Sequence, residues 1–297
     1  VVTRTGLSPH VIRVWERRYG AVAPARTASN RRVFTEAEVQ RLLLLGRATR
    51  CGHSIGLIAA LSTDALREML VDASETDAVV ASPERDGTPF VEAAFQEVRR
   101  LDAPALDKQL AAAARSLGPI HFLERVVRPL MWRIGEAWHT GSLRVSAEHL
   151  ASAAVRTFLG GLKDAQRIPT DAPRIVVATP ARQMHEIGAL AVATVAAVEG
   201  WNVLYLGPDL PADEIAYGTQ SEEARVVALS VVFPPDDLLL PRELRRLRRG
   251  IGERVPLLIG GGAAHAYAAD IRRDHAILME DLRTLSEALA TQRAAYR

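Results

Sequence analysis

His185 is a candidate metal ligand because of the segments on either side of it. It lies in the segment 183–188, Gln-Met-His-Glu-Ile-Gly, between the apolar run 174–179 and the apolar stretch 189–198. A loop that joins a buried strand to a helix lies at the carboxyl edge of a parallel sheet, where open α/β sheets bind ligands. A neutral imidazole binds borderline transition metals well. The sequence therefore predicts a ligand site on this loop.

Two later apolar runs of the sequence end in small residues. Ser230 follows the run 226–229, and three glycines, Gly260, Gly261 and Gly262, close the run 256–259. Only glycine lets another group approach the backbone so closely. One histidine, one serine and a glycine cluster therefore lie at three strand ends of a predicted parallel sheet.

These segments resemble the cobalamin-binding fold shared by methionine synthase, corrinoid carrier proteins and base-off mutases. Its signature is Asp-x-His-x-x-Gly, then Ser-x-Leu, then Gly-Gly, at matching spacings. The resemblance implies that His185 replaces the cofactor's benzimidazole as the lower axial cobalt ligand. The displaced nucleotide tail would then fill a slot between sheet and helix. The implied cofactor-binding residues of this part are Gln183, His185, Glu186, Gly188, Ser230, Gly260, Gly261 and Gly262.

Two positions depart from that signature. Gln183 stands where the family has an acidic residue, and Val232 replaces the leucine of Ser-x-Leu. A carboxylate bonded to the far imidazole nitrogen fixes the tautomer and raises the basicity of the ligand. A neutral amide can fix the tautomer, but it directs less electron density to cobalt.

The first 50 residues form a basic segment. They hold ten arginines against three glutamates, a net charge of +7, whereas the whole chain carries +2. A compact basic module on a mildly acidic body is typical of nucleic-acid binding. Ser8 and Pro9 predict the start of a helix that runs to Tyr19, residues 23–34 predict a two-stranded wing, and Thr35 predicts the start of another helix.

This segment resembles the winged-helix regulators of the MerR family. Their recognition helix ends in Arg-x-Trp-Glu-Arg-Arg-Tyr-Gly, which residues 13–20 match position by position. The wing differs, because Asn30, Arg31 and Arg32 stand where Gly-Tyr-Arg is common, and most of the usual opening helix before Thr5 is missing. The resemblance implies contact with double-stranded operator DNA, from the major groove and from the wing phosphates. The implied residues are Arg13, Arg17, Arg18 and Tyr19 for the groove, and Arg31 and Arg32 for the phosphates.

Between these two ends the sequence predicts four helices, over residues 90–100, 103–116, 120–138 and 145–163, which form a bundle. Trp138 and His139 end the third helix, and Glu148 and His149 lie in the fourth. This Trp-x9-Glu-His pattern resembles the cobalamin-dependent photoreceptor regulators of the CarH and LitR type, in which the bundle caps the upper face of the corrin. The resemblance now covers essentially the whole chain.

Roles follow from that resemblance for the bundle residues. Trp138 would pack against an adenosyl group on the upper face of the cofactor, and Glu148 would bind its ribose. His139 would become the upper cobalt ligand after light removes that group, with His149 in the same pocket. A flat indole and a carboxylate suit the apolar face and the hydroxyl donors of adenosine.

The sequence thus predicts a multidomain chain. We assign a winged helix-turn-helix domain to residues 1–71, a linker to 72–89, a four-helix bundle to 90–166, and a doubly wound, flavodoxin-like α/β domain to 167–297. Cys51 is the only cysteine, and no apolar stretch reaches the ~18 residues of a membrane span. With an opening too polar for a secretory leader, these features favour a cytoplasmic protein without membrane association.

Three functions are compatible with these features. The first is a light-responsive, adenosylcobalamin-binding repressor that acts as a homo-oligomer, a dimer or tetramer, on a palindromic site. The second is a corrinoid methyl-carrier protein, although such a carrier has no use for a DNA-reading module. The third is a repressor that keeps the fold but is cobalamin-independent and controlled by a partner protein, which Gln183 favours. No catalytic triad, zinc cluster or pair of catalytic carboxylates indicates an enzyme.

Overall fold

The computed structural model describes residues 1–5, 7, 9–27, 32–50, 55–67 and 86–294. The chain divides into two compact units, Val1–Pro83 and Glu84–Arg297. Most of the segment that we predict as a linker lies outside the described residues, as do Ser8 and Arg31. Each unit is described separately.

The first unit is a small helical domain with a two-stranded wing. Its elements are α1 (Val2–Thr5), α2 (Pro9–Tyr19), β1 (Ala25–Arg26), β2 (Arg32–Val33), α3 (Glu36–Arg50) and α4 (Ile55–Ile58). The wing strands pair antiparallel, with Ala25 opposite Val33. Ile12 and Trp15 of α2 are buried with Leu42 and Leu45 of α3, so the apolar face of α2 points inward.

The helix ends of this unit follow local sequence signals. The Thr35 hydroxyl accepts a hydrogen bond from the Glu38 backbone N–H, and the Glu38 carboxylate accepts one from the Thr35 N–H, a capping box that starts α3. The apolar spacing over residues 56–69 predicts one amphipathic helix, and this prediction is wrong over the part that the structure describes, 56–67. A turn follows Ile58, and the Ser62 hydroxyl accepts from the Ala65 N–H, which starts a new helical segment.

The second unit begins with the helical bundle. Its helices are α5 (Thr88–Arg100), α6 (Ala103–Leu117), α7 (Pro119–Phe122), α8 (Arg128–His139) and α9 (Val145–Asp164), and a π-helical turn (Leu123–Val127) joins α7 to α8. Asp102 caps α6 by accepting from the Ala105 N–H at 2.9 Å. Gly118, with φ of 74°, separates α6 from α7. The four predicted helices are therefore present, the third as a rod with one wide turn.

A five-stranded parallel sheet follows the bundle. Its elements are β3 (Arg174–Pro180), α10 (Ile187–Val198), β4 (Asn202–Leu210), α11 (Ala212–Ser221), β5 (Val226–Ser230), α12 (Leu240–Ile251), β6 (Leu257–Gly260), a 3-10 turn (Ala264–Tyr267), α13 (Ala268–Arg273), β7 (Ile277–Leu278) and α14 (Leu282–Ala294). The strand order is β4-β3-β5-β6-β7, and the neighbouring strands pair in parallel. This is the doubly wound, flavodoxin-like order, whose switch point lies between β3 and β5.

Alternate residues of the strands supply two separate apolar cores. Val177 and Ala228 face α10, α14 and the bundle, whereas Val176 and Val227 face α11, α12 and α13. The first of these cores continues without a break from the bundle into the sheet. The bundle is therefore packed on one face of the sheet, within a single compact unit.

No helix among the described residues combines the length and the apolar character that a bilayer crossing requires.

Candidate cofactor and nucleic-acid sites

The loop 181–186, here called the His185 loop, leaves β3 at the switch point of the sheet and is fixed by neighbouring loops. The backbone N–H of Arg182 donates to Oδ1 of Asp209, near the end of β4, at 2.6 Å. The Arg182 guanidinium lies 3.5 Å from the carboxylate of Asp237, whose side chain is 1% exposed. Arg182 has a left-handed φ of 71°, which this pair of aspartates holds in place.

Gln183 fixes the next position of the loop. Its buried amide oxygen accepts from the backbone N–H groups of Val232 and Phe233 at 3.0 and 2.9 Å, and its amide nitrogen donates to the Pro234 carbonyl at 3.3 Å. The amide therefore orients the segment after β5. We expected Gln183 to orient the His185 ring, but its hydrogen bonds are directed to the backbone of 232–234 instead.

Met184 and His185, in the middle of the loop, take no part in these contacts. Met184 is 63% exposed, and the imidazole of His185 is also exposed. The ring of Phe233 approaches the His185 ring edge-on, with the centroids 5.4 Å apart. Because Gln183 holds the Phe233 backbone, it limits the positions of the imidazole through that ring. His185 is thus presented at the carboxyl edge on a fixed loop.

Small residues lie close together where the His185 loop leads into α10 and where β5 and β6 end. The Ser230 hydroxyl is buried and lacks a hydrogen-bond partner among the described residues, an arrangement that indicates a polar ligand. A Cβ atom added at Gly188 would lie 2.4 Å from that hydroxyl, and one at Gly261 would lie 2.4 Å from the Val231 carbonyl. Ser230 also pairs with Gly260 across β5 and β6. Glycine is therefore needed where the first turn of α10 meets the ends of β5 and β6, whereas Gly262 is open.

Glu186 links this edge of the sheet to the bundle. Its carboxylate pairs with the guanidinium of Arg156 on α9 and accepts a hydrogen bond from the Tyr205 hydroxyl at 2.7 Å. Burial, reinforced by this hydrogen bond to an anion, raises the pKa of the Tyr205 phenol well above its ordinary range. Tyr205 therefore stays a neutral donor.

The four bundle residues singled out by the sequence lie at one end of the bundle. Trp138, 51% exposed, and His139 end α8, whereas Glu148 and His149 lie in the first turns of α9. The Glu148 carboxylate already accepts from the Ser152 hydroxyl at 2.7 Å and lies 2.6 Å from Nδ1 of His149. Since each carboxylate oxygen accepts more than one hydrogen bond, this arrangement still leaves room for a ligand hydroxyl.

The direction of α9 places that end beyond the sheet. Along α9 and α10, Leu159 lies beside Thr194, and Arg156 beside Glu186, so both helices approach the carboxyl edge as residue numbers fall. Glu148 precedes Arg156 by two turns of α9, a rise of about 12 Å. The end of the bundle with Trp138, His139, Glu148 and His149 therefore projects past the edge at which His185 is exposed.

The first unit carries the candidate nucleic-acid surface. Arg13, Arg17 and Arg18 of α2 are exposed and Tyr19 is half-buried, while Trp15 of the same helix is buried. The arginines therefore lie on the side of α2 away from the core. A basic helix face of this kind suits the major groove of DNA.

The wing arginine Arg32 is already paired. Its Nε donates to the Glu16 carboxylate on α2 at 2.5 Å, and Arg26 lies 3.7 Å from the same carboxylate. Glu16 thus ties the wing to the recognition helix. A phosphate contact by Arg32 would use its remaining N–H donors, and Arg31 lies outside the described residues.

Several residues of the site were missed by the sequence reasoning. Four side chains of the site lie 27 or more residues away in sequence from the loop residues that they contact: Asp209, Asp237, Phe233 and Arg156. The sequence did contain a signal for Arg156. Glu148, Ser152 and Arg156 are spaced four residues apart, so they share one face of α9.

We expect Gln183→Leu to destabilise the second unit by about 2–4 kcal/mol, because it leaves two backbone N–H groups and one carbonyl without their partner. Gln183→Glu keeps both accepted bonds and should cost less. Urea unfolding of the two variants measures the difference, with Gln220→Leu as the control, since Gln220 is exposed and makes one hydrogen bond, to the Gly250 carbonyl. Equal stability of Gln183→Leu and the wild type would show that the amide is not a structural tie.

Comparison with known proteins agrees with this architecture. Residues 1–64 match the family described as MerR HTH family regulatory protein, and residues 91–163 and 173–289 each match a family described as B12 binding domain. The chain is therefore a regulator of the MerR helix-turn-helix type that carries cobalamin-binding domains.

Some relatives match most of the chain, and others match only part of it. The chain is 29% identical to the HTH-type transcriptional repressor CarH of Myxococcus xanthus, over 90% of this chain and 89% of the relative. It is also 29% identical to the repressor CarA of that organism, over 78% and 75%. Methionine synthase of Mycobacterium tuberculosis is 25% identical over 60% of this chain but only 15% of its own length. The monomethylamine corrinoid protein of Methanosarcina barkeri shares the fold, with a TM-score of 0.52 and 14% identity over 67% of this chain and 95% of its own.

Proposed function

We propose that the protein is a light-responsive transcriptional repressor that uses adenosylcobalamin to control its binding to operator DNA. The observation that carries this proposal is the fixed loop that presents His185 near the buried Ser230 hydroxyl, in a chain that also has a basic winged helix. That hydroxyl lacks a hydrogen-bond partner among the described residues. Similarity to the CarH repressor over most of both chains supports it.

The residues at this edge of the sheet fit cobalamin. An imidazole suits cobalt, and the buried Ser230 hydroxyl lacks a hydrogen-bond partner among the described residues, so it is available to a polar ligand. Gly188 and Gly261 allow the elements around that hydroxyl to pack closely. His185 would hold the cobalt through its imidazole. Gln183 and Phe233 would keep that ring in place, and the Ser230 hydroxyl would hydrogen-bond the nucleotide tail.

The projecting end of the bundle would hold the other face of the cofactor. Trp138 supplies a flat apolar surface, and Glu148 supplies acceptors for ribose hydroxyls. His139 and His149 are exposed imidazoles beside them, and His139 is the candidate upper ligand once the adenosyl group is gone. When bound, adenosylcobalamin supplies a cobalt–carbon bond that light breaks. Loss of the group that Trp138 and Glu148 hold would leave the bundle end without its partner and free to move.

Oligomerisation would connect this site to DNA. One winged helix per chain makes a limited set of contacts, so two or more copies on a palindromic operator bind far more tightly through avidity. A subunit contact that depends on the position of the bundle would be lost when the bundle moves. The cofactor-loaded oligomer would therefore repress in the dark.

We expect adenosylcobalamin-loaded protein to elute from gel filtration in the dark as a dimer or larger species, and at half that size or less after green light. An absorption spectrum of the same sample reports the change at the cofactor. The hydroxocobalamin-loaded protein is the control, because it has no cobalt–carbon bond to break. His139→Ala tests whether the upper imidazole takes part in the response.

A second function is favoured by one observation. The Gln183 amide binds the backbone of 232–234, so it does not give the His185 ring the direct hydrogen bond that an acidic residue at this position would supply. A repressor that keeps this fold but responds to a partner protein would have an oligomeric size and a DNA affinity that ignore both cofactor and light.

A further inference from the structure

Three side chains from three elements meet next to the His185 loop. Arg156 on α9 donates from Nε to one oxygen of Glu186, and the Tyr205 hydroxyl of β4 donates to the other. The side chain of Glu186 is 13% exposed. A single shielded carboxylate is thus held by the bundle on one side and by the sheet on the other. We call this arrangement the Glu186 clamp.

The rest of the contact between these helices has little directional character. α9 packs on α10 through apolar and small side chains such as Val155, Leu159, Ala189 and Ala193. Apolar burial depends on area and not on direction, so it permits small shifts of one helix along another. The two helices also share a weak polar contact, in which the Thr194 hydroxyl donates to the Leu159 carbonyl at 3.5 Å. The Glu186 clamp is therefore the stronger directional contact at this end of α9.

We propose that Arg156 and Tyr205 are positioning residues, which hold Glu186 so that the register of α9 and the conformation of the His185 loop are set together. Glu186 is the chain neighbour of His185 and also the residue that precedes α10. A shift of α9 by one residue is a translation of about 1.5 Å, enough to take a hydrogen bond out of range. The clamp therefore stabilises the observed register over a shifted one.

The surroundings of the clamp explain why it differs from an ordinary surface ion pair. Exposed pairs contribute little because water and salt screen them. Here the Arg156 side chain is half exposed, but the carboxylate is shielded and has a neutral phenol as its second donor. Glu148 and Ser152 lie on the same face of α9 as Arg156, so a change of register would reach the residues proposed to hold the adenosyl group. This last consequence rests on the proposed function.

Hydrogen exchange on the full-length, cofactor-free protein tests the clamp. We expect Arg156→Met to speed the exchange of backbone amides in 182–190 and 145–156 about tenfold, since it removes a charge-assisted hydrogen bond. Tyr205→Phe should act in the same direction, and Arg156→Lys should restore most of the protection. Arg246→Met is the matched control, because Arg246 pairs with Asp213 between α12 and α11, away from the bundle. Unchanged exchange in both segments of Arg156→Met would overturn the inference.

Binding of hydroxocobalamin, followed by absorption, tests the link to the cofactor site. We expect Arg156→Met to weaken affinity about tenfold and Arg156→Lys to remain within about threefold of the wild type. Equal affinity of Arg156→Met and a wild type that binds would also overturn the inference. A wild type that bound no cobalamin would overturn the proposed function instead, and the exchange measurement alone would then decide on the clamp.

Discussion

Replacement of His185 by alanine is expected to lower cobalamin affinity by more than ~100-fold and to abolish the absorption spectrum of the histidine-ligated cofactor. Loss of a residue that only supports a metal ligand already costs about 10- to 100-fold, so loss of the ligand itself should cost more. The fold should remain intact, because the imidazole is exposed and its principal neighbour is the Phe233 ring. Absorption titration with hydroxocobalamin and with adenosylcobalamin measures the effect.

His275→Asn is the control for this experiment. His275 is another exposed histidine, but it precedes β7 and so lies at the opposite, amino edge of the sheet. Its φ is 50°, a left-handed conformation that asparagine tolerates. The cobalamin affinity of His275→Asn should match that of the wild type. An unchanged affinity and spectrum in His185→Ala would show that the cobalt ligand lies elsewhere.

Arg18→Ala is expected to weaken operator binding by about 1–3 kcal/mol and to relax preference at one base pair, the cost of losing a base contact. Arg18 is exposed on α2, the helix whose opposite face packs Trp15 into the core. The measurement is a binding isotherm at several salt concentrations, on a duplex selected from a random pool by the wild-type protein. Arg32→Ala should instead lower the salt dependence by about one unit, because it is assigned a phosphate contact.

Two further variants serve as controls for the DNA-binding experiment. Arg67→Ala removes another exposed arginine of the first unit, one that pairs with Asp64 outside α2, and it should leave affinity unchanged. Glu16→Gln removes the anion that ties Arg32 and Arg26 of the wing to α2 but keeps an acceptor for Arg32, so it should weaken binding less than Arg18→Ala does. Full operator affinity in a fragment that begins at Asp72 would contradict a DNA-binding role for the first unit.

The sequence predicted the elements of the fold because each is marked locally. The run 174–179, the loop with His185, Ser230 and the glycine cluster mark three strand ends, and parallel strands bring such ends to one edge. Asp102, Gly118 and the pair Thr35 and Glu38 mark helix ends by hydrogen bonds over a few residues. These signals need no knowledge of distant neighbours.

The contacts that fix the site could not be predicted in this way. Arg182 with Asp237, and Glu186 with Arg156, join residues that are brought together only by the packing of whole elements. Gln183 is the clearest example. Its type and position suggested a partner for His185, yet the backbone N–H groups of 232 and 233 lie within reach and occupy its oxygen. Which of two available partners an amide takes depends on tertiary geometry, and sequence periodicity carries no information about it.

The anchoring of the His185 loop has a consequence for where the protein can respond. Fixing the backbone of one residue costs about 1–2 kcal/mol of conformational entropy. Because the contacts of the folded protein already fix this loop, ligand binding does not have to order it. Arg182, Gln183 and Glu186 are each bound to another part of the unit, so the loop is pre-organised and has little ordering left to do. Binding or loss of the ligand should therefore change the conformation of the sheet and the His185 loop very little. The free energy of a cofactor-dependent change would be expressed mainly in the bundle, whose projecting end has no comparable set of ties to the sheet among the described contacts.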